Sequence, residues 1–188
     1  MKINNPLRIL FVEDVPTDKE IAERELKKNQ LTFVSTIVDT ENRFCEELEN
    51  FKPDIVISDY SMPKFDGMTA LKITKEKDLY LPFLLFTGSN NEDTAVNCMK
   101  TGADDYILKD NLQRLAPAIE SAIDKCTALR LKEKAENELR EKMNELEKFN
   151  ALMVGRELKM VELKKEINEL LVSIGKEVKY DTNFETTY

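Results

Sequence analysis

The sequence has 188 residues and a formal net charge of −8. This length accommodates one domain of ordinary size with an extension, or two small domains. The acidic balance argues against a nucleic-acid-binding surface, and no apolar run approaches the roughly 20 residues that a membrane-spanning helix needs. The chain contains no histidine, so any histidine-dependent step must be supplied by another protein.

Cysteine usage and the N-terminus indicate the compartment. Cys45, Cys98 and Cys126 are well separated and form no CxxC pair, which favours reduced thiols. The start MKINNPLRILFVED lacks the apolar core of a signal peptide, because acidic residues arrive at position 13. We therefore expect a cytoplasmic protein without a membrane segment.

The first 125 residues alternate between strand and helix patterns. Short apolar or β-branched runs predict strands at Arg8–Val12, Phe33–Val38, Ile55–Ser58, Leu81–Phe86 and Tyr106–Leu108. Helical periodicity occupies Thr17–Lys28, Glu41–Asn50, Thr69–Lys77, Glu92–Lys100 and a segment from near Asn111, with Thr17 and Asn90 as N-cap candidates. Five such alternations predict an α/β fold with a parallel sheet covered on both faces.

Polar side chains follow the predicted strands at their carboxyl ends, where ligands bind in this class of fold. The residues at these ends are Glu13, Asp14, Asp59, Thr87, Gly88 and Lys109. Three carboxylates crowded at one edge repel one another unless something compensates. They would also repel a flavin phosphate, whereas Mg²⁺ prefers carboxylate oxygens and would neutralise them. A solvated loop or an inert ion-pair cluster is the alternative interpretation.

Three stretches carry a family resemblance. DIVISDYSMPKFDGMTAL (Asp54–Leu71), FTGSN and GADDYILKD resemble the receiver domain of two-component response regulators, over roughly residues 6–126. The resemblance implies a flavodoxin-like, doubly wound, five-stranded parallel sheet of order 2-1-3-4-5. It also implies that Asp59 is the nucleophile that forms an acyl phosphate, with Mg²⁺ held by Asp14, Asp59 and the backbone carbonyl of Ser61, and with Glu13 contacting the ion mainly through water.

The resemblance assigns roles to four further residues. Lys109 would pair with the carboxylate and then with a phosphoryl oxygen, Thr87 would donate its hydroxyl, and Gly88 would leave room for the phosphoryl group. Tyr106 would be the switch aromatic. An N-cap role for Thr87 and a plain packing role for Tyr106 are the alternatives. Asp110 stands where the family usually has a proline after a cis bond; because a cis bond without proline costs about 2.5–4 kcal/mol, we expect a trans bond or a strained exception.

The second half of the chain predicts a long helix with a coiled-coil seam. One row recurs every seven residues and comprises Leu139, Leu146, Met153, Met160, Ile167 and Ile174. A second row, three positions further on, comprises Lys142, Phe149, Arg156, Leu163 and Leu170. We expect a parallel homodimer through residues 139–174, with a hairpin at Gly155 as the alternative.

These patterns predict a receiver domain at residues 1–126, a coiled-coil helix at 127–175 and a flexible tail at 176–188. The expected function is Mg²⁺-dependent phosphorylation on Asp59 by a partner histidine kinase or histidine phosphotransfer protein, with output through the coiled coil or a protein partner. The chain would not be an enzyme beyond its own phosphorylation and dephosphorylation, and it would bind no nucleic acid. The alternatives are a scaffold or pseudo-receiver with a constitutive coil interaction, and a phosphate-relay intermediate.

Overall fold

The computed structural model describes residues 6–88 and 92–181, without the side chains of residues 92–95. Strands and helices alternate. The strands are β1 (Leu7–Val12), β2 (Phe33–Val38), β3 (Ile55–Ser58), β4 (Phe83–Thr87) and β5 (Asp105–Leu108). The helices are α1 (Pro16–Lys28), α2 (Glu41–Asn50), α3 (Gly67–Lys77), α4 (Glu92–Thr101) and α5 (Leu115–Ser173), the last preceded by a 3-10 turn at Leu112–Arg114.

The five strands form one parallel sheet in the order β2-β1-β3-β4-β5. This confirms the predicted doubly wound topology of order 2-1-3-4-5. The strand order reverses between β1 and β3, where Val12 pairs with Ser58. The residues that follow these two positions are therefore brought to the switch point of the sheet.

Alternate strand residues point to opposite faces and build two hydrophobic layers. One layer joins Ile9, Phe11 and Ile57 to residues of α1 and α5. The other joins Leu10, Val56 and Leu85 to residues of α2, α3 and α4. Because both faces are covered, the inner strands β3 and β4 are buried at every position, whereas β2 and β5 at the two edges of the sheet are only partly buried.

Some element boundaries differ from the sequence predictions. Helix α1 begins one residue before Thr17, with Val15 at the N-cap position and Pro16 in the first turn, so the N-cap assignment of Thr17 is wrong. Proline fixes the φ that a first helical residue needs, and its missing N–H is not required there. Ser89 and Asn90, including the second N-cap candidate, lie outside the described residues.

The chain divides into two compact units, residues 1–132 and 133–188; the predicted boundary at residue 126 stays a prediction.

Helix α5 is continuous through Gly155, so the predicted alternative of a hairpin there is wrong. The residues of both predicted seam rows are exposed, with Met160 51% and Leu163 47% exposed, and all except Ile174 lie on α5, which ends at Ser173. Among the described residues, no helix is both long and apolar enough to cross a membrane.

The C-terminal end of α5 is closed by the residues that follow it. Gly175 takes a φ of 74°, and the Lys176 amide donates to the Leu171 carbonyl, a closure that favours glycine. The Asn168 side chain accepts hydrogen bonds from the amides of Lys179 and Tyr180 and donates to the Tyr180 carbonyl. The flexibility predicted for residues 176–188 stays a prediction, and residues 182–188 lie outside the described part of the chain.

Candidate functional site

The ends of β1 and β3 bring the acidic residues together. The Asp59 amide donates to the Val12 carbonyl at 2.8 Å, and the Glu13 amide donates to the Val38 carbonyl at 3.0 Å. These bonds continue the strand pairing by one residue, so the two carboxylates leave the sheet side by side. Glu13 is buried, Asp59 is half-buried and Asp14 is exposed.

The ammonium of Lys109 is the cation at this edge. Its Nζ donates to Asp59 Oδ2 at 2.7 Å, Glu13 Oε2 at 2.8 Å and Asp18 Oδ2 at 2.6 Å. The same nitrogen lies 5.3 Å from the ring centroid of Phe86, which is buried beneath it. An ammonium has three N–H donors, so the three carboxylates use all of them.

Burial and hydrogen bonding act in opposite directions on the pKa of Glu13 and on that of Lys109. Burial raises the pKa of Glu13 above its ordinary value, and the hydrogen bond from Lys109 opposes that rise. Burial of Lys109 acts to lower its pKa, but its hydrogen bonds to Asp18, Asp59 and Glu13 outweigh burial and hold the pKa above its ordinary value. Lys109 therefore stays charged throughout the physiological range.

The loop after Asp59 is held close to it. The Ser61 amide lies 3.3 Å from Asp59 Oδ1 and donates to it, and the Gly67 amide donates to the Tyr60 carbonyl at 3.1 Å. Asp66 begins α3 by accepting a bond from the Thr69 amide at 2.8 Å, as N-cap aspartates do. The role of the Ser61 carbonyl as a metal ligand stays a prediction.

Thr87, Gly88 and Tyr106 lie near the same edge. Thr87 ends β4 and is buried, and its carbonyl accepts the Lys109 amide at 2.9 Å. A Cβ added to Gly88 would lie 3.9 Å from Cδ of Lys109, so a larger residue there would fill the space beside the lysine. Tyr106 is half-buried on β5 and packs against the second hydrophobic layer. The phosphate-binding and switch roles of these residues stay predictions.

The acidic residues fit a hard divalent cation. Glu13, Asp14 and Asp59 each offer a carboxylate oxygen, and these oxygens lie within 4.8 Å of one another. Oxygen ligands at this spacing, one of them exposed to water, suit Mg²⁺, which keeps several waters and uses few carboxylates. The structure thus brings together all three predicted acidic side chains and Lys109.

Asp18 is the site residue that the sequence analysis missed. It lies in the first turn of α1, four residues after Asp14, and its side chain contacts Lys109 as closely as the predicted partners do. An acid in a first helical turn is ordinarily explained by the helix dipole. Asp14 lies before the N-cap residue of α1, so helical spacing does not relate it to Asp18, and no sequence pattern links Asp18 to Lys109.

The bond between Lys109 and Asp110 is trans, because the described part of the chain has no cis peptide bond. The first of the two expectations for this bond is therefore confirmed. The Asn111 amide then donates to the Leu108 carbonyl at 2.8 Å, which closes a turn directly after the lysine. The departure from the usual proline at position 110 leaves Lys109 directed at Asp59.

Comparison with known proteins defines the class. A family profile described as the response regulator receiver domain matches residues 9–120, more than half of the chain. The chain belongs to the response regulator receiver domain family, and the sequence resemblance is confirmed.

Individual relatives share the receiver part of the chain. The DNA-binding transcriptional regulator NtrC of Proteus hauseri is 30% identical over 116 residues, covering 61% of this chain and 24% of that protein. The nitrate/nitrite response regulator protein NarL of Escherichia coli (strain K12) is 31% identical over 110 residues, covering 58% of this chain and 51% of that protein. A response regulator receiver domain protein from Clostridium thermocellum superimposes with a TM-score of 0.57 at 28% identity, over 65% of this chain and 98% of that one. The chain spans about a quarter of the length of the first of these curated relatives and about half of the length of the second.

Proposed function

We propose that this protein is a phosphoacceptor, in which Asp59 takes a phosphoryl group in a Mg²⁺-dependent reaction. The observation that carries the proposal is the 2.7 Å contact between Lys109 Nζ and Asp59 Oδ2, beside two further carboxylates whose oxygens lie within 4.8 Å of Asp59. A lone surface aspartate has no such surroundings. A carboxylate with a fixed cation on one side and a divalent-cation site on the other suits phosphoryl transfer.

The reaction assigns a task to each group. A carboxylate oxygen of Asp59 forms a bond to phosphorus while the bond between phosphorus and the donor's leaving group breaks, and the leaving group departs with the electron pair. Bound Mg²⁺ would supply positive charge between the carboxylates and the phosphoryl oxygens. Lys109 would exchange its bond to Asp59 for one to a phosphoryl oxygen, and Thr87 would donate its hydroxyl to another.

The donor would be a second protein. The chain has no histidine and therefore cannot form a phosphohistidine, so we propose a partner histidine kinase or histidine phosphotransfer protein. We further propose that the chain acts in the cytoplasm without nucleic acid, and that it is an enzyme only for its own phosphorylation and dephosphorylation. Loss of the label to a second histidine protein would indicate a relay intermediate.

Acetyl phosphate tests the acceptor. Incubation with Mg²⁺ should add the mass of one phosphoryl group to the intact protein, and Asp59→Asn should abolish the addition. Asp124→Asn is the matched control, because Asp124 is an exposed aspartate on α5. Equal labelling of Asp59→Asn and the wild type would show that the nucleophile is another residue. A wild-type protein that takes no label would favour the pseudo-receiver alternative.

We propose that output passes through a coiled-coil dimer. An exposed apolar stripe that continues along α5 is best buried against a second copy, and it supports this proposal in residues 139–174. The seam variant Leu163→Glu/Leu170→Glu should convert the full-length dimer to a monomer in light scattering. The control is Leu158→Glu/Val172→Glu, because both residues are exposed on the same helix. They lie five positions after the seam residues Met153 and Ile167, which places them away from the seam in a seven-residue repeat. A monomeric wild type would contradict the dimer.

A further inference from the structure

We propose that Asp18 is a positioning residue, which anchors the Lys109 ammonium while Lys109 changes its partner from the Asp59 carboxylate to the phosphoryl group. The inference rests on the proposed function. It assigns a role to a side chain that neither the sequence patterns nor the acidic trio of Glu13, Asp14 and Asp59 includes.

The contact between Asp18 and Lys109 is short, and both side chains are largely shielded from water. Asp18 Oδ2 lies 2.6 Å from Lys109 Nζ, with 27% of the Asp18 side chain and 18% of the Lys109 side chain exposed. The Asp18 amide donates to the Val15 carbonyl at 3.1 Å, so the backbone of Asp18 is fixed in the first turn of α1. A charge-assisted hydrogen bond that a half-buried ammonium donates to a carboxylate on a fixed backbone defines where that ammonium lies.

The three acceptors of Lys109 differ in what else they do. Asp59 is the proposed nucleophile, and Glu13 belongs to the group of carboxylates that fits a divalent cation. Asp18 lies outside that group, and within the described part of the chain its carboxylate pairs with Lys109 alone. Asp18 can therefore keep its bond to the lysine while the other two carboxylates take further ligands.

Phosphorylation changes which groups accept hydrogen bonds from Lys109. When Asp59 becomes an acyl phosphate its carboxylate charge is lost and the N–H that faced Asp59 needs a new acceptor, which a phosphoryl oxygen supplies. If Glu13 and Asp18 hold the remaining two N–H groups, this exchange moves one hydrogen bond and leaves the nitrogen in place. Without Asp18 the ammonium is held by one fixed carboxylate and must be ordered during the transfer.

If Asp18 has no positioning role, its removal should change the phosphorylation rate in the opposite direction. If Asp18 acted only as a fourth negative charge, its removal would speed the approach of an anionic phosphoryl donor. If it anchors Lys109, its removal slows transfer. The sign of the rate change separates the two.

The experiment uses the full-length protein with acetyl phosphate and Mg²⁺ and measures the rate of phosphorylation. Asp18→Ala should slow it by about tenfold, the equivalent of one charge-assisted hydrogen bond, whereas Asp18→Asn keeps an acceptor and should stay within about threefold. Glu20→Ala is the charge-matched control, because Glu20 is exposed on the same helix. The Mg²⁺ affinity, measured by calorimetry, should be unchanged in all three.

A second readout needs neither metal nor donor. In the metal-free protein, hydrogen bonding protects the Lys109 ammonium from proton exchange, so its ¹H–¹⁵N signal should persist in the wild type and Asp18→Asn and exchange about tenfold faster in Asp18→Ala. If the wild type is phosphorylated and Asp18→Ala reacts as fast or faster, the positioning role is overturned while the proposed function stands. Equal slowing of Asp18→Asn and Asp18→Ala also overturns it. A wild type that takes no phosphoryl group overturns both.

Discussion

Gly67 lies against the backbone of Asp59. A Cβ built on Gly67 would come within 2.4 Å of the Asp59 carbonyl oxygen and 3.0 Å of the Tyr60 Cα. These atoms are backbone and cannot turn aside as a flexible side chain could. The start of α3 and the proposed nucleophile therefore approach each other as closely as they do because residue 67 has no side chain.

The substitution Gly67→Ala should destabilise the protein and displace the loop after Asp59. We expect a loss of about 2 kcal/mol in the free energy of unfolding, because the backbone must shift to admit the methyl group. Urea denaturation measures the loss. Phosphorylation by acetyl phosphate should also slow, since the Ser61 amide that contacts Asp59 belongs to the displaced loop. Wild-type stability in Gly67→Ala would contradict the close approach.

Gly155→Ala should have the opposite effect. Gly155 lies inside α5, and a Cβ there would meet nothing within 4 Å. Alanine is favoured over glycine in a helix interior by about 1 kcal/mol. Thermal unfolding followed by circular dichroism should therefore show a more stable helix, and phosphorylation should be unaffected. A destabilised variant would indicate that another chain approaches the helix closely at this position.

Removal of the Lys109 charge should destabilise the metal-free protein. Lys109→Gln leaves the buried Glu13 carboxylate without its cation, and we expect a loss of about 3 kcal/mol in the free energy of unfolding. Mg²⁺ should stabilise this variant more than the wild type, because the carboxylates then lack any other counter-charge. The measurement is urea denaturation with and without Mg²⁺.

Lys64→Gln is the control for that experiment. Lys64 is exposed in the loop after Asp59, so the substitution makes the same change in net charge near the site. It should alter stability by less than about 0.5 kcal/mol. If Lys109→Gln behaves like Lys64→Gln, the carboxylates do not depend on the lysine.

Asp104 should contribute to stability in a pH-dependent way. Its carboxylate accepts bonds from Lys75 Nζ at 3.0 Å and the Phe83 amide at 3.1 Å, and only 7% of the side chain is exposed. Burial acts to raise its pKa, but these bonds outweigh burial and hold the pKa below its ordinary value of 3.8. A carboxyl group with a depressed pKa stabilises the fold above its ordinary pKa, and this contribution is lost as pH falls through the depressed value.

Asp104→Ala should therefore cost about 3 kcal/mol at neutral pH, because it leaves the Lys75 ammonium unpaired. The difference in the free energy of unfolding between Asp104→Ala and the wild type should become smaller below about pH 3.8. Asp105→Ala is the control: its partner Arg114 lies 3.4 Å away, with 55% of the Arg114 side chain and 30% of the Asp105 side chain exposed, and pairs in contact with solvent contribute at most about 1 kcal/mol. Denaturation across a pH series measures both, and a constant difference at all pH values would refute the linkage.

The boundaries of particular strands and helices show which predictions the local sequence pattern could support. Strands β2 and β3 and helix α2 begin and end at the predicted residues, because their apolar period and turn residues are local. Helix α1 begins at Pro16 rather than at Thr17, because proline is favoured in the first turn of a helix. Strand β4 begins at Phe83 rather than at Leu81, because Pro82 has no N–H to donate in the sheet. The placement of Glu13, Asp14, Asp59 and Lys109 at one edge followed from their positions directly after predicted parallel strands, whose carboxyl ends meet at the same edge of the sheet.

The sequence by itself determined the alternation of strands and helices, the acidic edge and the family, because each is written in contiguous residues or in the order of strands. Only the tertiary structure decided that Asp18 shares Lys109, that Gly67 abuts the Asp59 carbonyl and that Asp104 pairs with Lys75. These contacts join residues between 8 and 91 positions apart. Asp59 and Gly67 stand in one motif, but the motif does not give the distance between them, and no motif or periodicity links the other two pairs. All three distances depend on how whole helices pack on the sheet.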